Sequence, residues 1–205
     1  MKKNDGLIGF LVRHGDTNET GEVFLSRSDA PLNKDGIAEA HRACDFLADY
    51  DIKRIFSSPL IRALEPARIL SLDYKPPLDV LQERGLLPWD RGIFTGVPND
   101  EGEAALQLFV EHPDVKMPFG ESRLDAEKRI GDFFDEQLPL AEQQMTAFFT
   151  HHSVIDILSY LVKGERPKKI KNLVEPGGIV AIYANDGDYR LEAVLLPSPV
   201  HESIS

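Results

Sequence analysis

An apolar run near the start of the chain ends in three residues of special chemistry. The stretch from Leu7 to Val12 is apolar throughout, apart from one glycine, and such a run is typical of a buried strand. Arg13, His14 and Gly15 follow it directly. In open α/β sheets, ligands bind at the carboxyl ends of strands. The run therefore predicts both a buried strand and a ligand site immediately after it.

The three residue types favour phosphoryl chemistry. A guanidinium binds an oxyanion through a planar fork of donors, and an imidazole can act as a nucleophile or a base near neutral pH. Glycine lets the backbone turn tightly or approach a bound group. Together they indicate a histidine that attacks a phosphoryl group while an arginine holds it. The triplet alone is weak evidence, because polar residues are common at strand ends.

Length, charge and cysteine content narrow the alternatives. The 205 residues fit one domain, 1–205. The net charge of -11 repels nucleic acid and anionic membranes, so neither is an expected partner. Cys44 is the single cysteine, which excludes an intrachain disulfide and favours a cytoplasmic location. No segment approaches the length of a membrane span.

Strands and helices alternate along the chain. Short apolar runs predict further strands at Ile52–Ser57, Leu78–Leu81 and Met145–Thr150, the second of them at a sheet edge, and segments with helical spacing lie between them. Ile179–Tyr183 and Tyr189–Leu196 flank a turn rich in Asp and Gly, which is typical of a hairpin. These patterns predict an α/β fold with a mostly parallel central sheet and at least one antiparallel strand.

Several helix ends and helix faces can also be assigned. Asn33 and Ser58 are predicted N-caps, the latter with Pro59 at the first helical position, and Ser122 with Asp125 is a candidate capping box. Pro66 should kink or shorten its helix. The residues expected to face the core are Ile37, Ala40, Cys44, Leu47 and Ala48, then Ile130, Phe133, Phe134 and Leu138, and finally Ile155, Leu158, Leu161 and Val162.

Reactive side chains follow four of the predicted strands. His14 and His151 each come directly after a strand, so both should lie on the same carboxyl rim of the sheet. A third strand end leads to Ser58 and then to Arg62, at a helix start whose N–H groups attract anions. Glu83 lies just past the edge strand. The sequence thus predicts that histidines, arginines and one carboxylate meet at a single place.

The ordered set of motifs resembles the histidine phosphatase superfamily, also called phosphoglycerate mutase-like proteins. The resemblance spans nearly the whole chain and implies a three-layer α/β/α fold. The matching motifs, in chain order, are Arg13-His14-Gly15-Asp16-Thr17, Asp29-Ala30-Pro31-Leu32-Asn33 with Gly36, Ser57-Ser58-Pro59-Leu60 with Arg62-Ala63, Leu81-Gln82-Glu83 with Trp89, Gly120-Glu121-Ser122 with Asp125 and Arg129, and Thr150-His151.

The resemblance implies a role for each matching residue. His14 would be the nucleophile and become phosphohistidine, while Arg13, Arg62 and His151 would bind the phosphoryl oxygens. Glu83 would protonate the leaving oxygen and then activate water, with no metal or cofactor required. Nearby guanidinium groups would also disfavour the protonated form of His14. Further contacts with phosphate, with substrate or with the residues that hold them are expected from His152, Thr17, Asn18, Thr20, Arg84 and Trp89.

The chain departs from the family pattern at several positions. Asp16 stands where Glu is usual, Pro66 where Thr is usual, and His152 where a glycine usually follows the second histidine. A histidine at position 152 either narrows the pocket or adds a donor. Thr20 stands where Asn is usual, and Asn18 is a candidate to replace its polar contact.

The favoured function is a metal-independent phosphatase that hydrolyses small phosphomonoesters. A mutase-type phosphotransferase and a phosphate-binding protein with a degenerate site are the alternatives. Acidic residues dominate the segment between Trp89 and Gly120, which disfavours a mutase because mutases of this family carry a longer, basic segment there. The expected partner is a small phosphorylated metabolite or inorganic phosphate. The oligomeric state stays open, with a homodimer as one alternative.

Overall fold

The computed structural model describes residues 6–167 and 173–194. Its strands are β1 (Leu7–Arg13), β2 (Arg54–Ser57), β3 (Val80–Gln82), β4 (Thr146–Thr150), β5 (Ile179–Asn185) and β6 (Asp188–Val194). Its α-helices are α1 (Lys34–Leu47), α2 (Ile61–Leu72), α3 (Asn99–Glu111), α4 (Arg123–Ala141) and α5 (His152–Lys163). Two short 3-10 turns, Arg84–Leu86 and Gly92–Phe94, lie between β3 and α3.

The strands form one mixed sheet in the order β3-β2-β4-β1-β5-β6. The neighbours β3, β2, β4 and β1 run parallel, whereas β5 is antiparallel to β1 and β6 to β5. Asp186 and Gly187 both have positive φ in the β5–β6 turn, as a tight hairpin turn requires. The predicted parallel sheet with its terminal hairpin is confirmed. Residues 195 and 196 of the predicted last strand lie outside the described residues.

Helices cover both faces of the sheet, which gives the three layers. Successive residues of β1 alternate between two cores, because side chains in a strand point to opposite faces. Phe10 and Val12 pack with Cys44 and Leu47 of α1 and with residues of α2. Leu11 belongs to the other core. That second core is built mainly from α4 and α5 and includes Ile130, Phe133, Phe134, Leu138, Ile155 and Leu158.

Two of the predicted caps are confirmed, and one is wrong. The Asn33 side chain accepts from the amide of Gly36, and Ser122 forms a reciprocal capping box with Asp125. Ser58 does not cap α2: the helix begins at Ile61, and its N-cap residue, Leu60, is apolar. The Ser58 hydroxyl accepts instead from the amide of Leu60 and also hydrogen-bonds a histidine across the sheet. A tertiary contact therefore overrides the local capping pattern.

Helix α2 continues past Pro66 to Leu72, so the proline does not shorten it, and the alternative of a kink stays a prediction. Three predictions of core-facing residues need correction: Ile37, Ala48 and Leu161 are exposed, Ile37 by 39% and Leu161 by 38%. They sit at the margins of their apolar stripes, where the helical period alone cannot decide which residue a neighbouring element covers. Within the described residues, no helix is long and apolar enough to cross a lipid bilayer.

Candidate active site

Strand register brings the reactive residues to one edge of the sheet. Arg13 pairs with Thr150, Ser57 with Phe149, and Ser57 also with Gln82. The parallel strands therefore end at nearly the same level, and the residues that follow them emerge side by side. These following residues are His14 after β1, Ser58 after β2, Glu83 after β3 and His151 after β4.

Glycine after the first histidine lets the chain pass close to helix α1. A Cβ atom built on Gly15 would lie 2.4 Å from the carbonyl oxygen of Gly36, and one built on Gly36 would lie 2.0 Å from that of Asp16. Neither position can hold a side chain unless the backbone moves. The loop is pinned further because Asp16 O accepts from the amide of Asn33 and Asp16 N donates to Glu39. Gly15 thus serves backbone packing beside His14.

The hydrogen bonds of His14 define its tautomer. The ring is buried, and its Nδ1 lies 2.8 Å from the carbonyl oxygen of Gly15. A carbonyl can only accept, so Nδ1 carries the proton and Nε2 keeps its lone pair. The Nε–H of Arg62 donates toward that lone pair over 3.3 Å. Nε2 is therefore the atom of His14 whose lone pair is available for nucleophilic attack.

The surroundings of His14 keep it neutral. Burial, followed by the positive charge of Arg62, lowers the pKa of His14 from 6.5 to about 3, and Arg13 and His152 act in the same direction. The carbonyl of Gly15 opposes this shift only in part. At neutral pH the imidazole is neutral, with a proton on Nδ1 and none on Nε2, which is the form that can attack phosphorus.

Arg62 is held rigidly below His14 by backbone carbonyls. Its Nη1 donates to Ser28 O over 2.6 Å and its Nη2 to Ser26 O over 2.8 Å. The side chain is only 1% exposed, and burial lowers the pKa of its guanidinium to about 10, so it stays charged at neutral pH. A fixed, dehydrated cation of this kind is suited to stabilising phosphoryl charge.

The second histidine faces the first. The ring centroids of His14 and His151 are 5.1 Å apart, and Nε2 of His151 lies 2.8 Å from the hydroxyl of Ser58. Nδ1 of His151 is buried and finds no hydrogen-bond partner among the described residues. Burial and the charge of Arg62 hold the pKa of His151 well below its usual value. Such an orphaned buried nitrogen marks a place for a ligand atom.

Two backbone segments complete the site. His151 is the N-cap residue of α5, so the positive end of that helix dipole lies at the site. The loop before β5 supports the first motif: Val174 O accepts from Arg13 Nη1, and the amide of Gly177 donates to His14 O. The Arg13 side chain is buried, and desolvation lowers its pKa, while Glu175 and Asp16 counteract that effect.

A cavity of about 840 Å³ opens above these residues. Arg13, His14, Arg62 and His151 line it, as do the predicted residues Thr20, Trp89 and His152. Trp89 is 1% exposed, and its ring N–H donates to Glu121 O, so it supports the wall. Thr17 is buried below the wall, where its amide and hydroxyl both bond the hydroxyl of Thr20.

Besides Thr17, three predicted residues stay outside the cavity wall. Asn18 and Arg84 are exposed, and Glu83 is partly exposed at the end of β3. The amide of Glu83 donates to Ser57 O. This bond holds the Glu83 backbone next to Ser58, whose hydroxyl contacts His151. The structure thus brings together the imidazoles and arginines of the prediction and leaves Glu83 at the margin.

The segment after Glu83 is fixed by a single arginine. Arg129 of α4 donates to the carbonyl oxygens of Arg84, Gly85, Leu87 and Pro88. Its charge is matched by Glu121, whose pKa is lowered chiefly by the Arg129 contact, against the opposing effect of burial. These hydrogen bonds of Arg129 explain why Glu121 and Arg129 occur together with the motif that contains Glu83.

Sequence reasoning missed several residues of the site. Ser26, with φ +46°, accepts from Arg62 Nη2 through its carbonyl and from the amide of Arg91 through its hydroxyl. Phe24 and Arg91 line the part of the cavity away from the histidines. All three lie in segments without helical or strand periodicity, so no pattern pointed to them. The wall contributed by α3 was also missed: it is formed by Asn99, Asp100, Glu103, Ala104, Leu106, Gln107 and Val110.

Known proteins share this sequence pattern and fold. A probable phosphoglycerate mutase GpmB of Proteus mirabilis is 26% identical over 174 residues, 80% of each chain. A 2,3-bisphosphoglycerate-dependent phosphoglycerate mutase of Rhizobium etli is 29% identical over 157 residues, 71% of this chain and 75% of that protein. Mycobacterial glucosyl-3-phosphoglycerate phosphatase has the same fold, with a TM-score of 0.77 at 20% identity over 90% of this chain and 96% of that one.

A family profile gives the assignment. The profile of the histidine phosphatase superfamily (branch 1) matches residues 10–195. This range contains both histidines, both arginines and the carboxylate singled out above. The chain belongs to branch 1 of the histidine phosphatase superfamily.

Proposed function

We propose that this protein hydrolyses small phosphomonoesters through a phosphohistidine formed on His14. The observation that carries the proposal is the pairing of His14 and Arg62. The Nε2 lone pair of a neutral, buried imidazole lies 3.3 Å from a guanidinium N–H, so nucleophile and cation are already positioned for one phosphoryl group. Phosphoryl transfer depends mainly on such positioning and charge stabilisation.

In the first step, the phosphoryl group binds between the two histidines. Its oxygens accept hydrogen bonds from Arg62, Arg13 and the unpartnered Nδ1 of His151. Nε2 of His14 then attacks phosphorus, and the bond from phosphorus to the ester oxygen breaks. The leaving alkoxide takes a proton from the Glu83 carboxyl group and departs as the alcohol.

In the second step, water removes the phosphoryl group. The Glu83 carboxylate accepts a proton from a water molecule, whose oxygen attacks phosphorus as the N–P bond breaks. Inorganic phosphate leaves, and His14 returns to its neutral form. Glu83 is assigned this role because it follows β3 at the same edge of the sheet and is tied through its amide to Ser57.

The charge of the cavity supports hydrolysis over mutase activity. A mutase must hold a bisphosphate in both orientations, which requires cations at both ends of the cavity. The cavity wall away from the histidines holds one arginine, Arg91, but α3 adds two carboxylates to that wall, Asp100 and Glu103. Two carboxylates repel a second phosphate and would weaken such binding.

The single cysteine and the acidic surface support the remaining parts of the proposal. Burial raises the pKa of the Cys44 thiol to about 12, so it stays a buried thiol, as suits a reducing compartment. We therefore infer one cytoplasmic domain that acts on a small phosphorylated metabolite. Because the net charge is -11, attraction of that anion depends on the few arginines at the site, such as Arg13 and Arg62.

The decisive experiment looks for the covalent intermediate. The protein is incubated with 4-nitrophenyl phosphate in the presence of a chelator and quenched, and acid-labile phosphate is then mapped by mass spectrometry. We expect steady hydrolysis, phosphate on His14, and loss of both in His14→Ala. Activity that survives in His14→Ala would refute the assigned nucleophile. Phosphate that is bound but never turned over would favour the alternative of a binding protein.

A further inference from the structure

A buried arginine links the cavity wall to helix α5. Arg123, the first residue of α4, is 1% exposed. The central carbon of its guanidinium lies 5.7 Å from the ring centroid of Trp89 and 5.2 Å from that of Tyr160. Trp89 belongs to the cavity wall, and Tyr160 belongs to α5. Arg123 therefore packs between the wall and the helix that follows the second histidine.

Two carboxylates balance the charge of Arg123. Its Nε–H donates to Glu127, one turn along α4, over 3.3 Å, and its Nη2 lies 3.7 Å from Asp156 Oδ2 in α5. The Tyr160 hydroxyl also donates to Glu127, so that an ion pair and a hydrogen bond both join α4 to α5. Arg166, which follows α5, is the second arginine bound to Glu127. The buried network thus contains two arginines and two carboxylates.

The contacts of Arg123 and Trp89 fall on one stripe of α5. The amide of Trp89 donates to the hydroxyl of Ser153 over 3.1 Å. Ser153, Asp156 and Tyr160 are spaced by three and then four residues, so they lie on the same face of the helix. Sliding or rotating α5 would break these contacts together. They therefore fix the helix both along its axis and about it.

The position of α5 determines the position of His151. His151 is the N-cap residue of the helix, and its ring faces that of His14. A displaced helix would carry the unpartnered Nδ1 of His151 away from the place proposed for a phosphoryl oxygen. A misplacement of about 1 Å, caused by a change far from the reacting atoms, can lower catalysis by roughly 100-fold.

Stability alone is a poor explanation for this buried network. The energy lost when charges leave water often exceeds their mutual attraction, so well-packed apolar side chains at such positions are frequently as stable or more stable. Ion pairs and hydrogen bonds add direction, which restricts the packing of two helices to one geometry. The network lies beside Trp89 and the start of α5, where a single geometry matters for the site.

We propose that Arg123 is a positioning residue, which fixes α5 against Trp89 and thereby holds His151 opposite His14. The proposal rests on the phosphatase function proposed above, because it assigns His151 to a phosphoryl oxygen. Interactions that act in the transition state depend most on placement. Loss of Arg123 should therefore weaken binding of a transition-state mimic more than binding of the product, inorganic phosphate.

The test compares these two anions in a variant without the cation. Orthovanadate mimics the five-coordinate phosphorus of the transition state. Arg123→Met is combined with Asp156→Asn, so that this carboxylate is removed together with its cation. We expect the Kd of orthovanadate, measured by calorimetry, to rise about tenfold and that of phosphate to change by less than about threefold.

Trp89 supplies a spectroscopic measurement, because it is the single tryptophan of the chain. Its side chain is 1% exposed, so acrylamide should quench its fluorescence weakly in the wild type and more strongly in the double variant. Circular dichroism checks that the variant folds. If it does not, Arg123→Lys keeps the charge but loses the planar fork, and it should weaken orthovanadate binding by about threefold.

Arg166→Gln is the matched control for the network. It removes the other arginine bound to Glu127 and leaves Arg123 in place against Trp89. Both dissociation constants should stay within about twofold of the wild type. Equal weakening of orthovanadate binding in this control, or unchanged binding in the Arg123 variants, would overturn the positioning role.

The binding measurements also separate this proposal from the phosphatase proposal, because they need no turnover. Failure to hydrolyse 4-nitrophenyl phosphate, with orthovanadate still bound, would refute the phosphatase alone. A wild-type protein that binds neither anion would overturn both proposals.

Discussion

The Nε–H of Arg62 points at Nε2 of His14 from 3.3 Å, so the cation proposed to bind phosphate is also the hydrogen-bond partner of the proposed nucleophile. This contact holds the lone pair in position and disfavours its protonation. In the proposed reaction, this hydrogen bond is redirected from Nε2 of His14 to a phosphoryl oxygen. The proposal therefore gives Arg62 a role before and during the attack.

Replacing Arg62 with lysine should therefore damage catalysis severely. Lysine keeps the charge, but it cannot donate to Ser26 O, Ser28 O and His14 at once. We expect kcat/KM for 4-nitrophenyl phosphate to fall by about 100-fold or more, as when a positioned donor is lost. Arg68→Lys, on the exposed face of the same helix, is the matched control and should stay within about twofold. Near-normal activity in Arg62→Lys would show that the planar guanidinium, with its contacts to Ser26, Ser28 and His14, is not needed.

The lowered pKa of His14 has a consequence for folding stability. The unfolded chain takes up a proton at His14 below pH 6.5, whereas the folded protein takes it up only near pH 3. The contribution of neutral His14 to the free energy of unfolding is therefore fully present above pH 6.5 and is lost as the pH falls toward 3. From pH 7 to pH 5, His14 alone should remove about 2 kcal/mol from the free energy of unfolding.

Urea titrations of wild type and His14→Gln at pH 7 and pH 5 measure this contribution. The variant should lose less stability over that interval, by about the same 2 kcal/mol. The other groups titrate alike in both proteins, so their effects cancel in the comparison. Parallel losses in the two proteins would show that His14 is not held neutral.

The hydroxyl of Ser58 should act through His151. Ser58→Ala removes the partner of His151 Nε2 and frees the ring to rotate away from the phosphoryl position. We expect about a tenfold loss of kcat/KM, comparable to losing one hydrogen bond at a charged centre. Ser71→Ala removes a serine-to-backbone bond at the far end of α2 and serves as the control for stability effects. Equal activity in the two variants would exclude the positioning role.

The assignment of Glu83 as acid is tested by the leaving group. An aryl oxide departs without help, whereas an alkoxide needs a proton, so the role of an acid depends on which ester is cleaved. Glu83→Gln should slow an alkyl phosphate by about 100-fold or more and change 4-nitrophenyl phosphate hydrolysis far less. Glu136→Gln, on the exposed face of α4, is the control. Equal slowing of both esters would argue for a structural role.

Sequence reasoning succeeded where local pattern and topology agree. His14 and His151 each follow a buried strand with an apolar centre, and parallel strands that end level bring such residues together. The helix caps at Asn33 and Ser122 are local features that the sequence encodes within four residues. These signals needed no knowledge of distant contacts.

The rest of the site depends on contacts that no local pattern encodes. Ser58 has the sequence context of an N-cap, yet its hydroxyl is used by a histidine 93 positions away. Arg91 stands alone in a non-periodic segment, and only the tertiary structure sets it over Phe24. The cavity wall around Arg91 and α3 was therefore beyond prediction, although the cluster of His14, Arg62 and His151 was not.

Two parts of the cavity wall come from different parts of the fold. His14 and His151 follow strand ends that are fixed in the sheet, whereas the wall around Arg91 and α3 belongs to an insertion between β3 and α4 that adds no strand. Segments outside the sheet can change without disturbing strand register. Exchanging the exposed residues of segment 89–120, while its core side chains are kept, should therefore alter substrate selectivity and leave the proposed reaction at His14 unchanged.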